Sequence, residues 1–507
     1  MKGYNVHSFK MRFSAVGVLS LLLFLLIGCA NNTNGEGEKE ISVMANVHTP
    51  QVATDSPVLD QIETAADVEL DISWVPDEMY DDKMNTVIAT ESYPRAMFVK
   101  NSDSYNKMKD SFNEEVYWEI SKYIEEYENL SNLDPVVLNN TAVNGKIFAL
   151  YRETPLSRWG VMYRKDWAEN LGIEAPETTD DLYEMFRAFT EDDPDGNGED
   201  DTIGVTLNSD LTYGGFKFVS SYFGSPNNWG EKDGKLQPEF MFPEYIETMD
   251  FFKRLRDEGL VNKDFPVTSK TDQTEMLTSG KSGALVGCLC NAVGFQDSIQ
   301  NTNPEAELDV QNRIAVPGGV PGTWSTAGYG SVVLFPKATN KTEEDVKETL
   351  ALFDKMMEPE IYNAIAYGIE GEHYELVDGR AKRIEGEDVE ASFEQKIRPL
   401  LGLAIGGELS IDALEPSFVS DLDEKQYNQT QDNNDILIHD PTVALHSKTF
   451  GEKGVYLQQI ITDATFQYML GEIDLAGFEE AVEKWRKEGG DQITQEYNEQ
   501  YNALQNN

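Results

Sequence analysis

The segment EDDPDGNGEDDTIG, Glu191 to Gly204, places an oxygen-bearing side chain at nearly every second residue. With Asp193 at position one, Asp195 falls at three, Asn197 at five, Gly198 at six, Glu199 at seven and Asp201 at nine. Alternate oxygens can close around a hard cation, and a glycine at six permits the sharp turn, as in an EF-hand loop. The spacing predicts one structural calcium ion held by Asp193, Asp195, Asn197, the backbone oxygen of Glu199, and Asp201. Position twelve, where a bidentate glutamate completes such loops, is Gly204, and the following TIGVTL alternates like a strand. The loop therefore reads as a clip between a helix and a strand, not a calcium sensor. A plain Asp/Gly turn is the alternative.

Other chemistry-bearing patterns are missing. No GxSxG, HExxH, P-loop or GxGxxG occurs. The five histidines, His7, His48, His373, His439 and His446, are not paired at metal-ligand spacing. Carboxylate pairs able to hydrolyse glycosides arise too easily among 90 acids to be excluded. The balance points to binding, not catalysis. Three cysteines are present, and Cys288-Leu-Cys290 puts two of them on one face of a strand, a spacing poor for a disulfide. A buried strand pair is expected there. The 507 residues include 41 basic and 90 acidic side chains, a formal charge of −49. Such a surface repels phosphate backbones, which argues against nucleic acid as a partner. At 40% hydrophobic, a chain of this length can bury the cores of two or more lobes.

The elements that must position these groups follow from periodicity. ISVMANV (41–47) reads as a buried strand, VELDISWV as an alternating one and RAMFV (95–99) as a third. Helical patterns, DDKMNTVIATE and EEVYWEISKYIEEY, fall between and after them. This alternation predicts an α/β lobe built on a parallel sheet, where ligands gather beyond the carboxyl ends of strands. His48, Asn101 and Ser102 stand at such ends and are candidate cleft residues. Two more strands are expected around 147–151 and 160–163. Leu182, Met185, Phe186 and Phe189 then share a helical face, with Thr178 and Asp181 at capping-box spacing. Helices are also expected at PEYIETMDFFKRLRDEGL, TEEDVKETLALFDKMM and LAGFEEAVEKWRKEGG, and a strand at YGSVVLF.

Residues 1–12 carry Lys2, Lys10 and Arg12 and no acid, and Phe13 to Gly28 is an uncharged apolar run, short for a spanning helix. That is the layout of an export signal. It ends in Leu26-Ile27-Gly28-Cys29, which resembles the bacterial lipobox. The resemblance implies acylation of Cys29 as the first mature residue, with residues 29–40 as a flexible tether. Cleavage there would leave 38 basic and 90 acidic residues, a charge of −52.

The stretch TPLSRWGVMYRKDWAENLGIEAPETTDDLYEMFRAFTEDDPDGNGEDDTIG resembles the extracellular solute-binding lipoproteins of ABC importers, in the oligosaccharide-binding family 1. TSGKSGALVG, YGIEGEHYE and the terminal GGDQITQEYNEQYN are similar to later segments of the same subgroup, so the likeness runs from about Ile41 to Leu504. It implies a two-lobed periplasmic-binding-protein-like type II fold with a hinge and an interlobe ligand cleft. Residues 1–28 would be the signal peptide and 29–40 the tether. Residues 41–152 and 312–340 would form the N-terminal lobe, and 153–311 and 341–507 the C-terminal lobe. Crossings would fall near Arg152–Pro155, Gln311–Pro317 and Phe335–Thr342.

The resemblance further implies a monomer, lipid-anchored on the extracellular face of the cell membrane. It would bind an oligosaccharide without covalent chemistry and deliver it to ABC permease subunits. An aromatic ring can stack on the apolar C–H face of a pyranose while polar side chains pair with its hydroxyls. Loop residues of those types are Glu153, Arg158, Trp159, Trp229, Trp324 and Tyr329, whereas Trp118, Trp167 and Trp485 fall on helical patterns and are expected in the core. Relatives often carry an aromatic residue after the strand corresponding to GALVGCLC; here Asn291 follows and Phe295 is the next ring. Some relatives also carry an acid directly after position nine of the cation loop, where this chain has Thr202. A surface carbohydrate-active enzyme and a receptor for a non-sugar solute such as a peptide are the alternative functions.

Overall fold

The computed structural model describes residues 39–48, 52–109, 112, 115–211 and 214–505. The expected export signal, Cys29 and the tether up to residue 38 lie outside them. Residues 39 and 40, assigned above to the tether, already belong to the first strand. In chain order the strands are Lys39–Val47 (β1), Val68–Pro76 (β2), Ala96–Val99 (β3), Ala149–Glu153 (β4), Trp159–Arg164 (β5), Ile203–Thr206 (β6), Trp229–Lys232 (β7) and Lys235–Pro238 (β8). They continue with Ser282–Cys288 (β9), Leu308–Gln311 (β10), Thr323–Trp324 (β11), Tyr329–Leu334 (β12), Tyr374–Val377 (β13), Arg380–Arg383 (β14) and Leu437–Ile438 (β15).

All four residues of β3 and all six of β5 are buried, as strands covered on both faces must be. One sheet has the order β2-β1-β3-β12-β4 and another the order β10-β5-β9-β6. β1 runs parallel to β3, but β12 runs antiparallel to both β3 and β4. In the second sheet β6 is parallel to β9, while β5 is antiparallel to β9 and β10. The expected parallel sheets are therefore mixed. β12 and β5 enter their sheets on segments arriving from the other sheet, not through a helical crossover, so nothing forces them parallel.

Each sheet has its own core. The first joins Val43, Met97, Phe98, Leu150 and Val333 to side chains of the helices Pro57–Ala66 and Glu343–Met356, and continues through Ile365 and Leu400 to Ile411. The second gathers Val161, Phe186, Phe189 and Val286 with the helices Pro243–Asp257, Lys448–Met469 and Leu475–Trp485. Met162, Leu285 and Leu308 form a smaller cluster; alternation puts the first two on the opposite face of the second sheet. Residues 343–411, expected with the second lobe, thus pack in the first. The third change of core falls between Ile411 and Leu422 rather than at 335–342. The apolar stripe of Glu343–Met356 would fit either sheet, so sequence periodicity could not decide between them.

The connections at the first two changes of core run side by side. Thr154 N–H donates to the Gly328 carbonyl at 2.9 Å and Thr326 N–H to the Leu156 carbonyl at 2.7 Å. The Ser157 and Thr323 hydroxyls lie 2.9 Å apart. Buried peptide groups need partners, and these two connections supply them to each other.

Two local readings illustrate what competes. Thr179–Glu191 starts with the expected Thr178–Asp181 capping box and buries Leu182, Met185, Phe186 and Phe189. EEVYWEISKYIEEY, by contrast, is helical only over Ser121–Ile124. Tyr117 bridges Pro336, and Trp118 N–H donates to the Phe335 carbonyl, so pairing with the end of β12 displaces the helix there.

Candidate functional site

Because β12 runs against its neighbours, its start lies beside the carboxyl ends of β3 and β4, and β1 ends at the same edge. That edge carries His48, Lys100, Asn101, Arg152, Glu153 and Tyr329. His48 is exposed, with Nε2 3.9 Å from Asp77 Oδ1. Asn101 Oδ1 accepts Ser104 N–H at 2.8 Å, capping the helix Ser102–Lys109, of which Ser102 is the first residue. Tyr329 is 3% exposed, edge-on to Tyr105, and its hydroxyl donates to Asn106 Oδ1 at 3.4 Å. It fills the first core rather than presenting a ring to solvent.

Glu153 Oε1 accepts Leu409 N–H at 2.9 Å and Oε2 accepts the Ser410 hydroxyl at 3.1 Å. Burial pushes this carboxyl up to about 7; the two hydrogen bonds oppose the rise, and Glu408 and Asp134 add to it. A Cβ at Gly407 would stand 2.6 Å from Glu153 Cβ, so a glycine is what lets the following chain close over the carboxylate.

At the same edge opens a cavity of about 200 Å³ lined by Asn46, His48, Lys100, Arg152, Ser331 and the 3-10 turn Arg398–Leu403. Sequence reading missed its three basic side chains. The available signal was a basic residue at the carboxyl end of two strands consecutive in the chain, β3 and β4, in a strongly acidic protein. A hollow of about 430 Å³ lies open along the helix Asp421–Asp432, lined by Asp421, Glu424, Lys425, Asn428, Gln429 and Asp432. It contains no ring on which a sugar face could stack.

The corresponding edge of the second sheet holds the start of β5 and the end of β9. Trp159 stacks on Phe218 at 4.7 Å and on Trp324 at 5.4 Å, with interplanar angles of 18° and 15°. The exposed Arg158 lies with its guanidinium 5.4 Å from the Trp159 ring centre. Phe218, on the helix Gly215–Tyr222, escaped the sequence reading because helical spacing hides a ring of this kind among core residues. Trp229 is not brought to this group. It is 7% exposed, edge-on to Tyr497 at 5.0 Å and tilted against Trp485. The Gly- and Asn-rich residues around it build the β7–β8 hairpin. Asn291 is exposed at the end of the 3-10 turn Leu289–Asn291, while Phe295, on the helix Ala292–Gln300, packs half-buried against the small third cluster.

Cys288 and Cys290 are joined in a disulfide, which corrects the expected strand pair. β9 stops at Cys288, and the 3-10 turn curls the chain so that the two Cα atoms lie 5.2 Å apart. Cys290 is consequently exposed.

The acidic loop runs from the helix Thr179–Glu191 into β6. The Asp193 carboxylate accepts N–H groups of Asn197 and Gly198, each at 3.1 Å. Asn197 Nδ2 donates to Asp195 Oδ2 at 2.9 Å and Asp201 Oδ1 at 3.2 Å, and Glu199 N–H donates to Asn197 Oδ1 at 2.6 Å. The donor set is oxygen-rich and suited to a hard cation. Among the described residues, however, no three acidic, histidine or cysteine side chains converge closely enough to hold a metal. Thr202 Oγ1 donates to the Phe189 carbonyl and Gly204 N–H to Thr190 Oγ1, both at 2.8 Å, pinning the loop exit to the helix. The residue that departs from the acid of relatives thus makes a clip bond.

Known proteins resemble this chain in sequence and in fold. The family pattern described as bacterial extracellular solute-binding protein matches residues 47–360. The chain is 37% identical over 501 residues to the polygalacturonan/rhamnogalacturonan-binding protein YtcQ of Bacillus subtilis (strain 168), covering 97% of this chain and 99% of that one. It is 34% identical over 499 residues to lipoprotein LipO of the same organism, covering 96% and 97%. An HMO-binding, ABC-transporter-associated solute-binding protein from Bifidobacterium longum infantis superposes with a TM-score of 0.71 at 16% identity, covering 92% and 99%. An EF-hand mutant of the S. pneumoniae substrate-binding protein FusA, in complex with fructo-nystose, gives 0.58 at 18% identity over the same shares. At these identities the solved structures share the fold.

Proposed function

Because the chain belongs to the bacterial extracellular solute-binding proteins, we propose that it is the receptor of an ABC importer, capturing an oligosaccharide between two lobes and handing it to the permease. Members of this family are binding proteins, not enzymes. The observation that carries the sugar reading is the exposed Arg158, whose guanidinium lies 5.4 Å from the Trp159 ring at the rim of a buried stack of Trp159, Phe218 and Trp324. A charged hydrogen-bonding fork beside the edge of an aromatic ring suits the hydroxyl rim and the apolar face of a pyranose. The names of relatives, one for polygalacturonan and rhamnogalacturonan and another determined with fructo-nystose, support a saccharide over a peptide. In this reading His48, Arg158, Trp159 and Asn291 meet the sugar, while Asn101, Ser102, Glu153 and Trp324 shape the edges around it. Rotation of the two cores about their three connections closes the receptor.

Two further features complete the proposal. Cys29 carries the lipid that holds the receptor, a monomer, at the extracellular face of the cell membrane; the likeness to LipO, a named lipoprotein, supports this. The Asp193–Asp201 loop takes a structural calcium, supported by the EF-hand named for FusA. Reversal of the Asn197 amide would turn its oxygen toward the Asp195 and Asp201 carboxylates. Thermal unfolding measured against plant and microbial oligosaccharides and against peptides tests the main claim. A raised midpoint with an oligosaccharide and none with peptides is expected, and the reverse pattern would overturn it.

A further inference from the structure

The 200 Å³ cavity at the edge of the first sheet runs against the bulk charge of the molecule. In a chain with 90 acids and 41 basic residues, Lys100, Arg152 and Arg398 line one small hollow, with His48 beside them. Most of this charge is already answered. Lys100 Nζ lies 3.1 Å from Asp81 Oδ2 and 3.8 Å from Asp77 Oδ2. Arg398 donates through Nε and Nη2 to Glu394 Oε1 at 2.8 and 2.6 Å. His48 faces Asp77.

Arg152 is different. It makes no ion pair among the described residues, and its Nε is buried without a hydrogen-bond partner. A guanidinium keeps its charge at any physiological pH, so this cation is half-buried and uncompensated. A second group repeats the pattern. Ser331, 4% exposed, has a buried hydroxyl with no partner among the described residues and lines the same cavity. Gly330 beside it leaves the space the guanidinium occupies, since a Cβ there would lie 3.2 Å from Arg152 Nη2. Unsatisfied buried donors are rare in folded proteins, and here two belong to side chains that line one hollow. A single water needs roughly 10–15 Å³, so a hollow of this size admits a ring with its substituent, not merely a lone ion.

We propose that this cavity is an anion subsite in which Arg152 and Ser331 receive the carboxylate of a uronic acid residue, so that the captured oligosaccharide is an acidic one. The planar two-oxygen carboxylate matches the guanidinium fork and leaves a lone pair for the serine hydroxyl. The assignment rests on the oligosaccharide-receptor reading above and narrows it.

The test uses the mature protein and two main probes with one skeleton, oligogalacturonides of two to four residues and the same chains fully methyl-esterified, alongside neutral, sulfated and phosphorylated oligosaccharides as controls. Titration calorimetry is expected to show at least tenfold tighter binding of the free acid. Arg152→Gln should level that preference, Arg152→Lys should keep part of it, and Ser331→Ala should reduce it several-fold. Ligand-free Arg152→Gln should melt no lower than the parent, because an unpaired buried charge is removed; a fall in its midpoint would point to a purely structural arginine and overturn the assignment. Equal affinity for acid and ester overturns the anion subsite while the oligosaccharide reading stands. Binding only of neutral oligosaccharides has the same consequence. Preference for a sulfated or phosphorylated chain over the uronate overturns the carboxylate assignment. No binding of any oligosaccharide, acidic or neutral, overturns both.

Discussion

Glu153 shows how a single residue can link the fold to pH. Its folded carboxyl holds a proton up to about pH 7, whereas an unfolded chain releases it near the ordinary 4.5. Between those values the folded state binds more protons, so the contribution of this residue to stability falls as pH rises from about 4.5 to 7 and is level beyond. The loss is at most about 3 kcal/mol. Urea unfolding of Glu153→Gln at pH 5 and pH 8 should show that slope removed; an unchanged slope would contradict the assignment. Arg158 gives the complementary case, since it is exposed and anchors nothing in the core. Arg158→Ala should weaken oligosaccharide binding about tenfold, the worth of one charge-assisted hydrogen bond, while unfolding stays within about 0.5 kcal/mol of the parent. At this scale the sequence was partly legible. Residue type flagged Trp159, Trp324 and Arg158, which the structure brings together. Type also flagged Trp229 and Tyr329, which the structure packs elsewhere in the two cores; all four rings are buried. Phe218 carried no signal that separated it from the core residues of a helix face, and Arg152 only that of a basic side chain at a strand end in an acidic protein.

At the scale of elements, the acidic loop is a fastening between a helix and β6. Gly204 sits where a Cβ would meet the Phe186 carbonyl oxygen at 2.2 Å, so the strand is held against the helix backbone. Gly204→Ala should cost about 1–3 kcal/mol in chemical unfolding; a neutral result would mean the close approach is relaxed. A chelator should lower the melting temperature of the parent protein and not that of Asp193→Ala, and an unchanged parent would count against calcium. Helices with strong caps and apolar stripes, such as Thr179–Glu191, could be read directly, because their periodicity and their packing agree. The segment around Trp118 could not, because a partner more than two hundred residues away, at Phe335, claims its backbone. The Cys288–Cys290 bond was hidden for a similar reason: strand geometry forbids it, and only the turn after β9 allows it.

For the whole molecule, the two cores and the paired connections 154–158 and 323–328 are the features that make closure a reasonable motion. Fold class followed from alternating elements, but the lobe boundary did not, since nothing in the apolar stripe of Glu343–Met356 names the sheet it covers. Small-angle scattering should show a smaller radius of gyration on saturation with ligand, and an identical profile would speak against lobe closure. Replacing Cys29 by serine should release the protein into the medium. The central claim, capture of an oligosaccharide without chemical change, is tested most directly by titration calorimetry against an oligosaccharide panel, followed by recovery of the bound sugar from the same cell. Saturable binding near one sugar per chain is expected, with the oligosaccharide recovered intact. Absence of heat across the panel, or recovery of shortened chains, would contradict it.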